Sequence, residues 1–470
     1  MTYSCALALA NIQRKNYAHR AKIRDRHDGR LSIYQSSNRL GYTELSPSES
    51  LHPLLRPTTL RLFLAVALFL RFGGQPTWGQ QPGAKAEVKA ELKLNDKLSF
   101  RPPDPLNAAA FDHFYDMEYD SSIQEFTQIQ KRHPDDPDAM NHLLTAVLFH
   151  ELYRIGALSS GEYANDSFVD TQHRTADQQT CSQIKSLVDK ALAIEEKRID
   201  ENPKDVGAYY SRGVTRADFA TYTALIERAW FSALRNAVGA RHDHEKVLEL
   251  DPHDVDAKLI VGAHNYVVGN LPWGVKAASS MVGLGGNKEK GLEYLHEAAA
   301  SNSETSIDAK ILLVVFLRRE RHFDESLQII RSLEPQYPHN VLFAMEDGNL
   351  LRAKGQDRDA EAVYRRVWQD GRNGKYSGLH YEIATVALGD LLRSEKNYTG
   401  AATAYDLMAE VAKPDPEMAQ RAAIGAGEMY DMLRNRELAL KRYEAAVAVD
   451  SGSPLAETAR KRIKEPYTGT

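Results

Sequence analysis

Gly348–Tyr364 reads GNLLRAKGQDRDAEAVY, and two later stretches keep its frame: GDLLRSEKNYTGAATAY at Gly389–Tyr405 and GEMYDMLRNRELALKRY at Gly427–Tyr443. In each, a small residue follows the glycine by 12 positions (Ala360, Ala401, Ala439), and a tyrosine follows that by four. This frame predicts two helices joined by a short turn. Glycine in the first helix and alanine in the second mark the place where the two cross. A larger side chain there would push them apart, and the tyrosine fills the space one turn away.

Proline supplies a second spacing. Pro203, Pro252 and Pro338 each precede a glycine by ten, at Gly213, Gly262 and Gly348. Proline cannot continue a helix, so it ends the second one of each pair. Gapped copies run from Phe114 to Pro134 and from Phe316 to Pro338. Together these spacings resemble the tetratricopeptide repeat, a helix–turn–helix unit that buries its apolar face only by stacking on its neighbours. The resemblance implies an all-α, right-handed solenoid of about eight units, starting near residues 105, 137, 206, 255, 307, 341, 382 and 420. The block YVVGNLPWGVKAASSMVGLGGNKEKGLEYLHEA (Tyr266–Ala298), with the DAKILLVVFLRRERHFDESL that follows, is similar to uncharacterised exported bacterial tetratricopeptide proteins.

Three early units are stretched between their helices. The second carries a polar insert from about Leu158 to Thr180. The third is extended over residues 221–240, where Ile226, Trp230, Leu234 and Val238 predict one face of a long amphipathic helix. The fourth holds an apolar insert over 271–286 with Leu271, Pro272, Trp273, Met281 and Leu284, ahead of Asn287 as a helix cap. These inserts either pack on one another or meet a membrane or an apolar partner.

The solenoid is expected over 105–453, followed at 454–470 by a capping helix and tail. Residues 80–104 read as a flexible, Lys-, Glu- and Pro-rich linker. Residues 51–79 read as a signal peptide or membrane anchor. Their 11-residue run LRLFLAVALFL (Leu60–Leu70) follows Arg56, and its length suits an exported signal better than a bilayer span. This points to the periplasm or envelope, with anchoring through 60–70 as the other option. Residues 1–50 form a basic extension, eight Lys/Arg against four Asp/Glu, read as a start-site overrun.

The net charge of −5 makes no case for nucleic acid. Two cysteines, Cys5 and Cys181, exclude a disulfide framework and a cysteine zinc site. GLGGNKEKG lacks the Lys-Ser/Thr ending of a phosphate loop, and His150-Glu151 lacks the second zinc-site histidine, with Arg154 in its place. His242 and His244 read as a solvated helical surface. No catalytic residue, metal site or cofactor is expected, so the chain reads as a non-enzymatic scaffold for protein–protein contacts.

The resemblance also implies that the first helix of each unit lines a groove. Arg318, Arg352 and Arg393 share one register there and predict a cationic row for an acidic or carboxylate-ended peptide, with Asp431 breaking it in the next unit. The Lys–Asn pair of the chaperone-tail clamp is missing; Met345 with Asn349 and Val386 with Asp390 stand in its place. Tyr210, Val214, Leu259 and Tyr266 predict a more apolar groove earlier on.

Overall fold

A computed structural model describes residues 99–158, 173–271, 276, 280 and 285–469. Among them are seventeen α-helices and no strand. They pair in chain order as α1 (Asn107–Tyr115) with α2 (Tyr119–Arg132), α3 (Pro137–Arg154) with α4 (Gln178–Glu201), α5 (Val206–Leu225) with α6 (Trp230–Leu250), and α7 (Ala257–Gly269) with α8 (Lys288–Ala299). Then come α9 (Ser306–Arg319) with α10 (Phe323–Leu333), α11 (Val341–Lys354) with α12 (Asp357–Arg372), α13 (Ile383–Ser394) with α14 (Tyr398–Asp406), and α15 (Pro416–Met432) with α16 (Arg436–Val449). A single helix, α17 (Pro454–Lys464), packs on the last pair. The described residues form an all-α solenoid of eight tetratricopeptide-type hairpins.

Local chemistry starts and stops these helices. Asp136, Asp205, Asn340, Asp415 and Ser453 accept hydrogen bonds from first-turn amides of α3, α5, α11, α15 and α17, and three of those helices begin with proline. Asn287 caps α8 as its position predicts, accepting from Lys290 N at 2.9 Å. The turn within most hairpins has one form. Met117, Gly156, Arg321, Gly355, Lys396 and Arg434 all have positive φ. The next amide then returns to the carbonyl five residues back, as in His322 N to Leu317 O (2.8 Å) and Asn397 N to Leu392 O (2.9 Å).

The crossing is tighter than the spacing suggests. The tyrosine ring itself lies on the glycine: a Cβ on Gly348 would sit 2.6 Å from Tyr364, and Gly389 and Gly427 stand in the same relation to Tyr405 and Tyr443. Glycine is there to admit the ring. Ala360, Ala401 and Ala439, all fully buried, seat the helix one turn away. In the third unit the ring is His244, which covers Gly213, so this buried histidine belongs to the core and not to a solvated surface. In the fourth unit Gly262 meets the backbone of Gly291, and Leu295 takes the ring's place.

Two expectations need correction. The extension over 221–240 is not one helix. It lengthens α5 and α6 on either side of a break at Ile226–Ala229, where Arg228 has φ 55°. The buried face of α6 is then Ala233, Ala237, Ala240, His244 and Val247, and Leu234 points outward. The linker also ends before residue 104. Phe100 stacks on Phe111 at 4.9 Å, and Arg101 reaches Asp254 (3.3 Å) and Asp256 (2.9 Å). Residues 1–98 lie outside the described residues, and with them the signal segment. Among the described residues no helix is long and apolar enough to cross a membrane.

The first hairpin does more than cap the stack. Tyr115 donates to Asp308 at the start of α9 (3.1 Å), and Asn340 Nδ2, at the start of α11, donates to the Tyr115 carbonyl (2.6 Å). Farther along, His380 N donates to the Tyr153 hydroxyl (2.8 Å), and Arg174 pairs with Asp415 (2.8 Å). Units one and two thus lie against the first helices of units five to eight, across more than 190 residues of sequence.

Candidate functional site

First helices α9, α11, α13 and α15 follow one another along one face. The three register arginines lie on it, and two of them, Arg318 and Arg393, have their charge matched by a carboxylate. Arg318 pairs with Glu346 of α11 (2.8 Å), and Arg393 pairs with Glu428 of α15 (2.7 Å). Arg352 donates to the Asp390 carbonyl (3.2 Å). Glu346 and Glu428 are both buried, so each arginine beside them is spent on desolvating and neutralising a carboxylate. The expected cationic row is a set of bridges between successive units. Sequence reading passed over the two glutamates because they do not share a register: Glu346 precedes its glycine by two, and Glu428 follows its glycine by one.

At the end of this face the chain holds its own tail. After α17 the backbone turns back, and the Tyr467 ring lies between the guanidinium groups of Arg393 (5.1 Å from the ring centroid) and Arg462 (4.6 Å). Arg393 Nη2 donates to the Tyr467 hydroxyl (2.9 Å), and Glu428 binds Arg393 and Arg462 together. The Tyr467 backbone N–H donates to Asp431 Oδ2 (2.8 Å). Asp431 also accepts from Arg436 and from the Tyr443 hydroxyl. Asp431, read as a break in the row, is therefore an acceptor for main chain. A ring between two cations, a hydroxyl contact and a main-chain hydrogen bond are the elements of an extended-peptide site. The signal in the sequence was a lone aromatic in a charged tail, KEPYTGT.

The other groove candidates are core. Tyr210, 3% exposed, lies under Arg101 (4.3 Å) and edge-on to His244. Tyr266, also 3% exposed, stacks on Phe316 (3.8 Å) and donates to Glu320 (3.0 Å). Leu271 is half-buried, whereas Pro272, Trp273, Met281 and Leu284 lie outside the described residues. In the third unit Phe231 is 55% exposed and Leu234 is 39% exposed, side by side on α6.

Two further features went unseen in the sequence. A cavity of about 130 Å³ opens between the first hairpin and units five and six, walled by Phe114, Met117, Phe149, Ile311 and Phe343, with Tyr115 and Asp308 at its polar side. Where α3, α4 and α5 meet, Asn141, Thr145, Glu195, Ser211, Thr215 and Asp218 are all fully buried. Thr145 Oγ1 lies 2.8 Å from the Asn141 carbonyl and 2.6 Å from Asp218 Oδ2. The Thr145 hydroxyl donates to Asp218 and shares its one proton with the Asn141 carbonyl, so the Asp218 carboxyl is thinly solvated by the protein. Burial pushes the carboxyls of Asp218 and Glu195 up to about 7.

No family model matches this chain. Among solved structures, the chain is similar to one in the APC/C hetero-tetramer Cut9–Hcn1, at 14% identity over 77% of this chain and 55% of that one, TM-score 0.39. It therefore spans about half the length of that chain. It is also similar to PilF of Pseudomonas aeruginosa, at 15% identity over 54% of this chain and 99% of that one, TM-score 0.32. A tetratricopeptide repeat protein of Parabacteroides merdae gives 12% identity over 76% of this chain and 96% of that one, TM-score 0.25. These likenesses carry no weight for what this chain binds.

Proposed function

We propose that this protein is a non-enzymatic scaffold whose last units hold an extended peptide bearing an aromatic side chain. The observation that carries the reading is the seating of Tyr467 between Arg393 and Arg462, with its main chain on Asp431. The chain's own tail occupies the place and marks its chemistry: a flat ring, a hydroxyl and a backbone N–H that can reach Asp431. Arg318 and Arg393 are neutralised by Glu346 and Glu428, so an aromatic residue suits this surface better than an acidic one. The apolar run at 60–70 supports export, and the reading places the scaffold in the periplasm or at the envelope.

The test is exchange. A chain ending at Glu465 should bind a labelled KEPYTGT peptide in fluorescence anisotropy, and the full chain should bind it at least tenfold more weakly. Arg393→Ala in the shortened chain, or alanine for tyrosine in the peptide, should remove binding. A shortened chain that ignores the peptide would refute the site.

A membrane-surface role is the second reading, favoured by exposed Phe231 and Leu234 on α6 and by the apolar composition of the sequence over 271–286. Co-sedimentation with anionic vesicles that persists in high salt and disappears in Phe231→Glu/Leu234→Glu would support it.

A further inference from the structure

The loop between α1 and α2 alternates its side chains. Tyr115, Met117 and Tyr119 line the cavity. Asp116 and Glu118, between them, meet His339 from the loop ahead of α11. His339 Nδ1 lies 3.0 Å from Asp116 Oδ2 and 2.9 Å from Glu118 Oε1. One ring nitrogen holds at most one proton and cannot donate fully to two carboxylates. Without that proton, three electron-rich atoms face each other.

We propose that Asp116, Glu118 and His339 form a site for a first-row divalent cation, with zinc as the fitting ion. One imidazole and two carboxylates are a ligand set for such ions, and a water completes the shell. The spacing fits. Ligand atoms about 2.0 Å from a tetrahedral ion stand about 3.3 Å apart, a few tenths of an ångström beyond the separations from His339 Nδ1. The surroundings hold the ligands in place. The His339 backbone N–H donates to Asp116 Oδ1 (2.7 Å), which leaves Oδ2 for the ion. Glu118 Oε2 lies 3.5 Å from His113 Nε2, and His113 is itself fixed through Nδ1 by Glu125 (2.8 Å). His113, so fixed, places a ring nitrogen behind the outer oxygen of Glu118. All three ligands are partly exposed, so an ion has a path in. The ion would join unit one to the loop before unit six and close the seam over the cavity.

Zinc titration of the chelator-treated full chain tests this by calorimetry, with cobalt absorption as a second readout. One ion per chain is expected, with a cobalt ligand-field spectrum of low coordination. Glu118→Gln and His339→Gln should each weaken zinc at least tenfold with unchanged helical content by circular dichroism. His253→Gln, at an exposed histidine outside the seam, should bind as the parent does. Zinc should raise the unfolding temperature of the parent but not of Glu118→Gln. No stoichiometric binding, or binding that survives both seam substitutions, would overturn the site and leave the cluster as an ion-paired contact.

Discussion

At the scale of residues, the core of the second and third units buries titratable carboxyls among its apolar contacts. Asp218 is buried, accepts from Thr145 at Oδ2 and leaves Oδ1 without a protein partner. Its carboxyl is pushed up to about 7 by burial, against about 3.9 for an unfolded aspartate. Below pH about 4 the group is neutral in both states. Between there and 7 the unfolded chain releases the proton and the folded chain keeps it, so stability falls as pH rises and levels off above 7. Asp218→Asn is neutral at every pH and removes this slope. The variant should exceed the parent by about 2 kcal/mol at pH 8, roughly half the full linkage value, because its amide N–H groups need acceptors of their own. At pH 4 it should be level with the parent or below it. Urea denaturation at the two pH values reads the difference directly; an equal difference at both would mean Asp218 is ionised in the fold.

At the scale of elements, what the sequence made legible was whatever repeats locally. Glycine, alanine and tyrosine lie within one hairpin, so their spacing gave the units and their starts. The break at Ile226–Ala229 was not legible, because Leu225–Trp230 carries no glycine or proline and an unbroken apolar stripe is compatible with it. The turn geometry was hidden as well. Arg321, Lys396 and Arg434 hold the left-handed conformation where Gly355 does the same work without a Cβ. A side chain costs roughly 1 kcal/mol there, partly offset by the freedom glycine gains in the unfolded chain. Lys396→Gly should therefore raise stability by about 0.5–1 kcal/mol in urea denaturation with an unchanged m-value. Met117→Gly should go the other way, since Met117 is buried against the cavity and its packing outweighs the backbone gain. Equal effects at the two positions would mean the turn conformation contributes nothing.

At the scale of the molecule, the seam sets this chain apart from an open repeat array. In an open array each unit touches only its neighbours, and stability is a sum of units and adjacent interfaces. Here Tyr115, Asp116 and Tyr153 bind units five to seven, so the first units cannot fray without uncovering the middle ones. No local pattern announces such pairs: they join residues more than 190 positions apart and use polar types that any surface carries. Asn340 isolates the effect. Its Oδ1 caps α11 at Phe343 N (3.1 Å), while its Nδ2 donates to the buried Tyr115 carbonyl (2.6 Å). Asn340→Asp keeps the cap and removes the donor, leaving that carbonyl unpaired beside a carboxylate, at a cost of about 2–3 kcal/mol. Hydrogen exchange should then show α1, α2, α9 and α11 losing protection together, with α15 to α17 unchanged. Loss confined to α1 and α2 would mean the first hairpin merely rests on the stack. Joint loss would mean that units one, five and six fold as one body, and that the array is closed by its own beginning.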